Sequence, residues 1–133
     1  MESHQSHTDK KAIVQAYFAY FDQRKFEEAR SLLSDDLMVW YPNTREVFHG
    51  SRPYIQMNQE YPGHWRIELK ELHALDDRII TITRVYKEGS TQSLHAVSFF
   101  RFNRGKISEI YEYWGEDGEA PQWRLEKGFS KQV

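Results

Sequence analysis

Ser93-Leu-His-Ala-Val-Ser-Phe-Phe-Arg-Phe-Asn-Arg-Gly-Lys-Ile-Ser-Glu-Ile-Tyr-Glu-Tyr-Trp114 is the stretch on which the fold turns. Two runs rich in Val, Ile, Phe and Tyr flank Arg104-Gly105, a dipeptide suited to a tight hairpin turn. The pattern predicts two long neighbouring strands, 93–103 and 107–114. Side chains alternate faces along a strand, so Ile110, Glu112 and Trp114 share one side. A carboxylate between apolar neighbours is costly to ionise where that side is buried. Function can explain such a cost, which makes Glu112 the first candidate site residue. Alternation alone also permits the opposite register, with Glu109, Tyr111 and Tyr113 inward. A salt-bridged or rim-solvated Glu112 is the structural alternative.

Two further strands are legible upstream. Trp65, Ile67 and Leu69 alternate with charged residues. The apolar parity then moves to Leu72 and Ala74, which predicts a bulge near Glu71 and a bent strand. After the turn at Asp76-Asp77, Ile80 and Ile82 lie on one side of a strand reaching Tyr86. Both faces of these strands carry apolar groups, so both call for cover. Helices are expected on the concave side and a second subunit on the convex side, against Ile80, Ile82, Val97 and Phe99.

The first half of the chain reads mainly as helix. Ile13, Tyr17, Tyr20 and Phe21 form a stripe over about 9–22, and Phe26, Ala29, Leu32 and Leu33 form another, ended by Ser34-Asp35-Asp36. A strand from Leu37 to Tyr41 stops at Pro42, and residues 46–49 return beside it. Gly50 leads into a third helix with Ser51 as N-cap, Pro53 in the first turn and a Tyr54, Met57, Tyr61 stripe.

Bulk properties exclude whole classes. The 133 residues suit one domain, and 15% aromatics suggest a ligand cup or an interface. A net charge of −2 with mixed signs gives no case for nucleic acid or an anionic membrane. The absence of cysteine removes disulfides and thiolate chemistry. No apolar run is long enough for a membrane span, and the start lacks a signal-peptide stretch, so a cytoplasmic location is expected. His49, His64, His73 and His95 form no i, i+4 pair with a carboxylate, so neither a metal nor a cofactor is expected.

The order of helices and strands resembles the nuclear transport factor two-like fold. That resemblance implies an α+β architecture: a cone-shaped barrel of three N-terminal helices packed on a strongly curved, mainly antiparallel, cystatin-like sheet. Ile13-Val-Gln-Ala-Tyr17 resembles the first helix of ketosteroid isomerases, and the resemblance makes Tyr17 a hydroxyl donor inside the cone. Asp35-Asp-Leu-Met-Val-Trp-Tyr-Pro42 resembles their first strand, and the general-base aspartate falls on Tyr41. Ser98-Phe-Phe-Arg-Phe-Asn103 resembles the strand that carries their protonated aspartate, which falls on Ser98. Tyrosine is a poor base at neutral pH, so isomerisation by that mechanism is disfavoured. Gly105-Lys-Ile-Ser-Glu-Ile-Tyr-Glu112 is similar to the last strand of SnoaL-like polyketide cyclases, whose catalytic aspartate falls on Glu112.

The resulting expectations are specific. Residues 1–8 form a tail, 9–115 the cone domain, and 116–133 an extension over the surface or the cone mouth. Glu112 and Tyr17 are the candidate catalytic residues. Tyr41, Ser98, Phe100, Ile110, Trp114 and Trp40 are the candidate ligand-lining residues. The ligand is a small hydrophobic, carbonyl-bearing molecule, and the chemistry a cofactor-free cyclase, isomerase or dehydratase step. A non-catalytic ligand carrier or dimeric adaptor is the other reading. A cone filled by Trp40, Phe100, Phe102 and Trp114 favours the adaptor. An open pocket of about 300 Å³ or more favours a ligand.

Overall fold

The computed structural model describes residues 7–133. The reading of the first residues as a tail falls, for 1–6, outside the described residues. His7 already belongs to the first helix. In chain order the elements are α1 (His7–Asp22), α2 (Phe26–Arg30), β1 (Leu33–Tyr41), β2 (Glu46–His49), α3 (Ser51–Glu60), β3 (Trp65–Ala74), β4 (Ile79–Lys87), β5 (Ser93–Asn103), β6 (Lys106–Glu116) and α4 (Gln122–Glu126). The strands form one mixed sheet in the order β2-β1-β6-β5-β4-β3. Only β1 and β6 pair in parallel. The sheet curves without closing, because β2 and β3 remain as edges.

The curvature has local causes. The pairing register shifts between Leu69 and Glu71 in β3 and between Arg101 and Phe102 in β5, each the signature of a bulge that bends its strand. The β5–β6 hairpin turns on Arg104 and Gly105, both at positive φ (53° and 78°), as a two-residue turn matched to strand twist requires.

Ala96, Ser98 and Phe100 of β5 and Ile110, Glu112 and Trp114 of β6 face the concave side, where α1 lies, and past the bulge Ile107 joins them. Val14, Tyr17, Phe18 and Phe21 of α1 join Leu37, Val39, Ile79, Phe100 and Ile110 in one buried cluster. Tyr17 and Phe18 both meet the Phe100 ring edge-on, at 5.4 and 5.6 Å between centroids.

Three local expectations are corrected. The second helix stops at Arg30, and β1 begins at Leu33, so Ser34-Asp35-Asp36 lie in strand. They occupy the irregular part of β1, where the register against β6 shifts between Leu33 and Met38, and an irregular strand accommodates exposed polar groups. The third helix is capped by Gly50 at φ 101°, with no side-chain cap; Ser51 is its buried first residue. Beyond β6, the extension adds the short α4, which its sparse apolar pattern did not announce. Among the described residues, no helix is long and apolar enough to cross a membrane.

Candidate active site

The inward residues of β5 run Leu94, Ala96, Ser98, Phe100, and those of β4 run Val85, Thr83, Thr81, Ile79. Large groups fill one end of the concave face. Small ones, Ala96 and Thr83, leave the middle open. A cavity of about 480 Å³ results, lined from α1, α3 and every strand. Buried lining groups (Tyr17, Tyr54, Thr83, Ala96) mark its depth. Exposed ones (Arg24, Thr44, Glu46, Tyr61) mark its mouth.

Glu112 faces this cavity from β6. It pairs directly across the sheet with Ser98, which pairs in turn with Thr81 of β4. Ser98 Oγ donates to Glu112 Oε1 at 3.0 Å. No cation pairs with Glu112 among the described residues. Burial therefore raises its pKa above the usual carboxylate value, and the Ser98 hydroxyl pulls it partly back. A carboxyl with a raised pKa at the wall of an apolar hollow suits proton transfer.

Three phenols face the same cavity: Tyr17 from α1, Tyr41 from β1 and Tyr54 from α3. Tyr17 and Tyr54 share a hydrogen bond of 3.0 Å between their hydroxyls. Burial first, then neighbouring tyrosines and the Glu112 charge, push the pKa of Tyr17 and Tyr41 upward. Burial and then the Glu112 charge do the same to Tyr54. All three stay neutral and keep their donor protons. Tyr41 also meets the Trp114 ring edge-on at 4.9 Å.

Of the sequence-derived candidates, Glu112, Tyr17, Tyr41 and Trp114 line the cavity. Ser98 is fully buried behind Glu112 and reaches the cavity only through it. Phe100 and Ile110 share the concave face but sit wholly within the packed core, because α1 covers that end of the sheet. The placement of Trp40 is corrected. Its neighbour Tyr41 takes the inward position, and alternation turns Trp40 to the convex face, where it stacks on Tyr111 at 5.7 Å. Tyr54 escaped the sequence reading as a site residue. The only signal was its place on the apolar stripe of α3, which marks packing as readily as a site. Arg24 carried no signal at all.

The described histidines stand apart from the cavity: His95 Nδ1 lies 2.6 Å from Asp117 on the convex side, and His64 lies 3.6 Å from Glu88. Among the described residues, no group of three or more His, Asp or Glu side chains is placed to hold a metal.

The family model described as SnoaL-like domain matches residues 14–110. Among solved structures, a candidate ketosteroid isomerase from Kribbella flavida DSM 17836 is 27% identical, with a TM-score of 0.83 over 95% of this chain and 90% of that one. A candidate polyketide cyclase from Xanthomonas campestris pv. campestris is 20% identical, with a TM-score of 0.69 over 83% and 93%. An LEH-like epoxide hydrolase from M. tuberculosis is 15% identical, with a TM-score of 0.71 over 81% and 84%. The last two show the shared fold. No curated protein sequence matches the chain.

Proposed function

The chain belongs to the SnoaL-like domain family, and from that premise we propose that it binds a small hydrophobic, carbonyl-bearing molecule in the cavity and acts on it by cofactor-free acid/base chemistry through Glu112. The observation that carries this reading is a buried carboxyl, unpaired with any cation among the described residues, on the wall of a 480 Å³ hollow rich in aromatic rings. That volume lies within the range of small-ligand sites.

In the proposed step, ionised Glu112 takes a proton from the carbon next to the substrate carbonyl. The electrons of the broken C–H bond move onto the carbonyl oxygen, giving an enolate. In the Tyr17–Tyr54 pair one neutral hydroxyl donates to the other, and the accepting hydroxyl, preorganised by that bond, donates its own proton to that oxygen. Ser98 is committed to Glu112 and serves it rather than the oxyanion. Glu112 then returns the proton to another carbon for isomerisation. In a cyclase step the enolate carbon instead attacks a second carbonyl of the same molecule, and the proton goes to the new alkoxide.

The test is hydrogen–deuterium exchange at the α-carbons of bicyclic to tetracyclic ketones in D₂O, followed by NMR. The native protein accelerates exchange for members of the panel, and Glu112→Gln lowers the rate by about 100-fold or more. A native protein without effect on the panel, or a glutamine variant equal to it, overturns the proposal.

A homodimer through the convex face belongs to the same reading. Tyr111 and Tyr113 are 37% and 44% exposed there, beside Trp40 and Phe99. The extension leaves on this side, with Asp117 accepting from Ser93 Oγ at 2.6 Å. It carries Trp123 and Phe129 edge-on at 6.3 Å, both largely exposed. Aromatic rings in this number call for cover by a second copy. Light scattering at micromolar concentration gives a dimer for the native chain and a monomer for Tyr113→Glu; a native monomer sinks this part.

A further inference from the structure

Every arginine that forms an ion pair in the described structure does so away from the cavity wall. Arg24 is different. It is the sole cationic residue among the described residues lining the cavity, it sits at the mouth, and no carboxylate pairs with it. Its recorded side-chain contact is with an aromatic ring, the guanidinium lying 5.3 Å from the centroid of Phe26, another lining residue. That contact sets the exposed guanidinium beside the rim.

The backbone at this position is left-handed. Arg24 closes α1. Its N–H bonds the Phe21 carbonyl at 3.1 Å, and the Lys25 N–H bonds the Tyr20 carbonyl at 2.8 Å. This is the paired closure of a Schellman motif, whose left-handed residue is usually glycine. Arg24 occupies it at φ 59°. Arginine is carried at a left-handed position here as it is at Arg45 and Arg104, and what distinguishes Arg24 is its place at the cavity mouth.

The mouth is electrically lopsided. Asp22 is bound to Arg66, so the end of α1 lies at the β3 edge of the sheet. Glu46, the one acid on the rim, comes from β2 at the opposite edge and accepts from Thr44 Oγ1. Arg66 is already engaged by Asp22 and Glu88. An anion arriving at the mouth is therefore attracted on the Arg24 side and repelled on the Glu46 side.

We propose that the cavity takes an amphiphilic substrate: an apolar, ring-bearing frame whose carbonyl end reaches Glu112 and whose other end carries a carboxylate held at the mouth by Arg24. This rests on the acid/base reading of Glu112 and adds to it the polarity of the substrate. Arg24 is a specificity residue and takes no part in proton transfer.

The test uses 1-pyrenebutanoate and its methyl ester, which share one frame and differ in the charge of the tail. Their dissociation constants are measured by fluorescence. Indole N–H resonances locate them: Trp65 and Trp114 line the cavity, whereas Trp40 and Trp123 lie outside it. The native protein binds both in the cavity and prefers the carboxylate, with the preference fading as salt is added. Arg24→Gly, which suits the left-handed backbone and keeps the fold, lowers the ester-to-acid ratio of dissociation constants by about 5- to 10-fold. A ratio unchanged in the glycine variant overturns this inference and leaves the Glu112 reading standing. Failure of both probes to move Trp65 and Trp114 overturns the two together.

Discussion

Ser98 Oγ donates its proton to Glu112 Oε1 across a direct β5–β6 pair, and this is the one hydrogen bond the protein gives that carboxyl among the described residues. The bond favours the ionised form and so opposes the effect of burial. Removing it in Ser98→Ala moves the Glu112 pKa further up. In the exchange assay the limb of the pH–rate profile that reports the ionised base shifts to higher pH, with little change at the alkaline plateau. Titration of the Glu112 carboxyl by carbon NMR reads the same shift directly. A downward or absent shift shows that the hydroxyl does not serve the carboxylate.

Glu112→Gln separates the cost of the site from its use. The folded pKa lies above the unfolded one, so the folded state holds the proton longer. Between the two values the native protein loses stability as pH rises, by on the order of 1.4 kcal/mol per pH unit, and below both values it loses nothing. Glutamine carries no such charge and still accepts from Ser98. The variant is therefore more stable than the native chain at pH 8, and the difference closes as pH falls toward 4. Urea midpoints at the two pH values measure it. A glutamine variant less stable at pH 8 contradicts the desolvation argument.

Thr81 continues the same row of the sheet, beside Ser98, and its hydroxyl is fully buried without a hydrogen-bond partner among the described residues. Such a group costs about 1–3 kcal/mol when desolvated. Valine has nearly the same shape and no such cost. Thr81→Val is expected to raise unfolding stability by about 1 kcal/mol without altering ligand affinity. A loss of stability means that the hydroxyl finds a partner in solution.

The sheet was open to reading from sequence because its two-residue period survives in the packing: Glu112 and Trp114 face inward together, and the parity change at Glu71 is a bulge. Trp40 shows the limit of composition. A large aromatic next to Tyr41 looks like cavity lining, yet one step along a strand reverses the face. The cavity itself was beyond reach. Its volume depends on Ala96 and Thr83 lying opposite Tyr54 and Tyr17, groups brought together only by how α3 and α1 settle on the sheet. Phe100 and Ile110 have the right parity, and only the position of α1 tells that they are sealed. Arg24 could not be found because left-handed closure of a helix by arginine leaves no pattern in the chain.

The end of α1 is also where the cavity mouth meets the sheet edge, and one carboxylate holds it. Asp22 accepts from Arg66 Nε and Nη2 at 2.9 and 3.0 Å, and from the Ile67 N–H at 2.8 Å. The Arg66 guanidinium first, and the Ile67 amide, hold the Asp22 pKa below the usual carboxylate range. A lowered folded pKa gives stability that is fully present above the ordinary value and is lost as pH falls through the lowered one. Asp22→Asn removes it, costing about 1 kcal/mol near neutral pH, where the partly exposed pair is screened by solvent. The native and variant stabilities converge in acid. Because Arg24 follows Asp22 by two residues, the same change loosens the arginine at the mouth, and the carboxylate preference of the pyrene probes falls with it. Convergence in acid without any change in that preference would show that the clamp holds the helix but does not position Arg24.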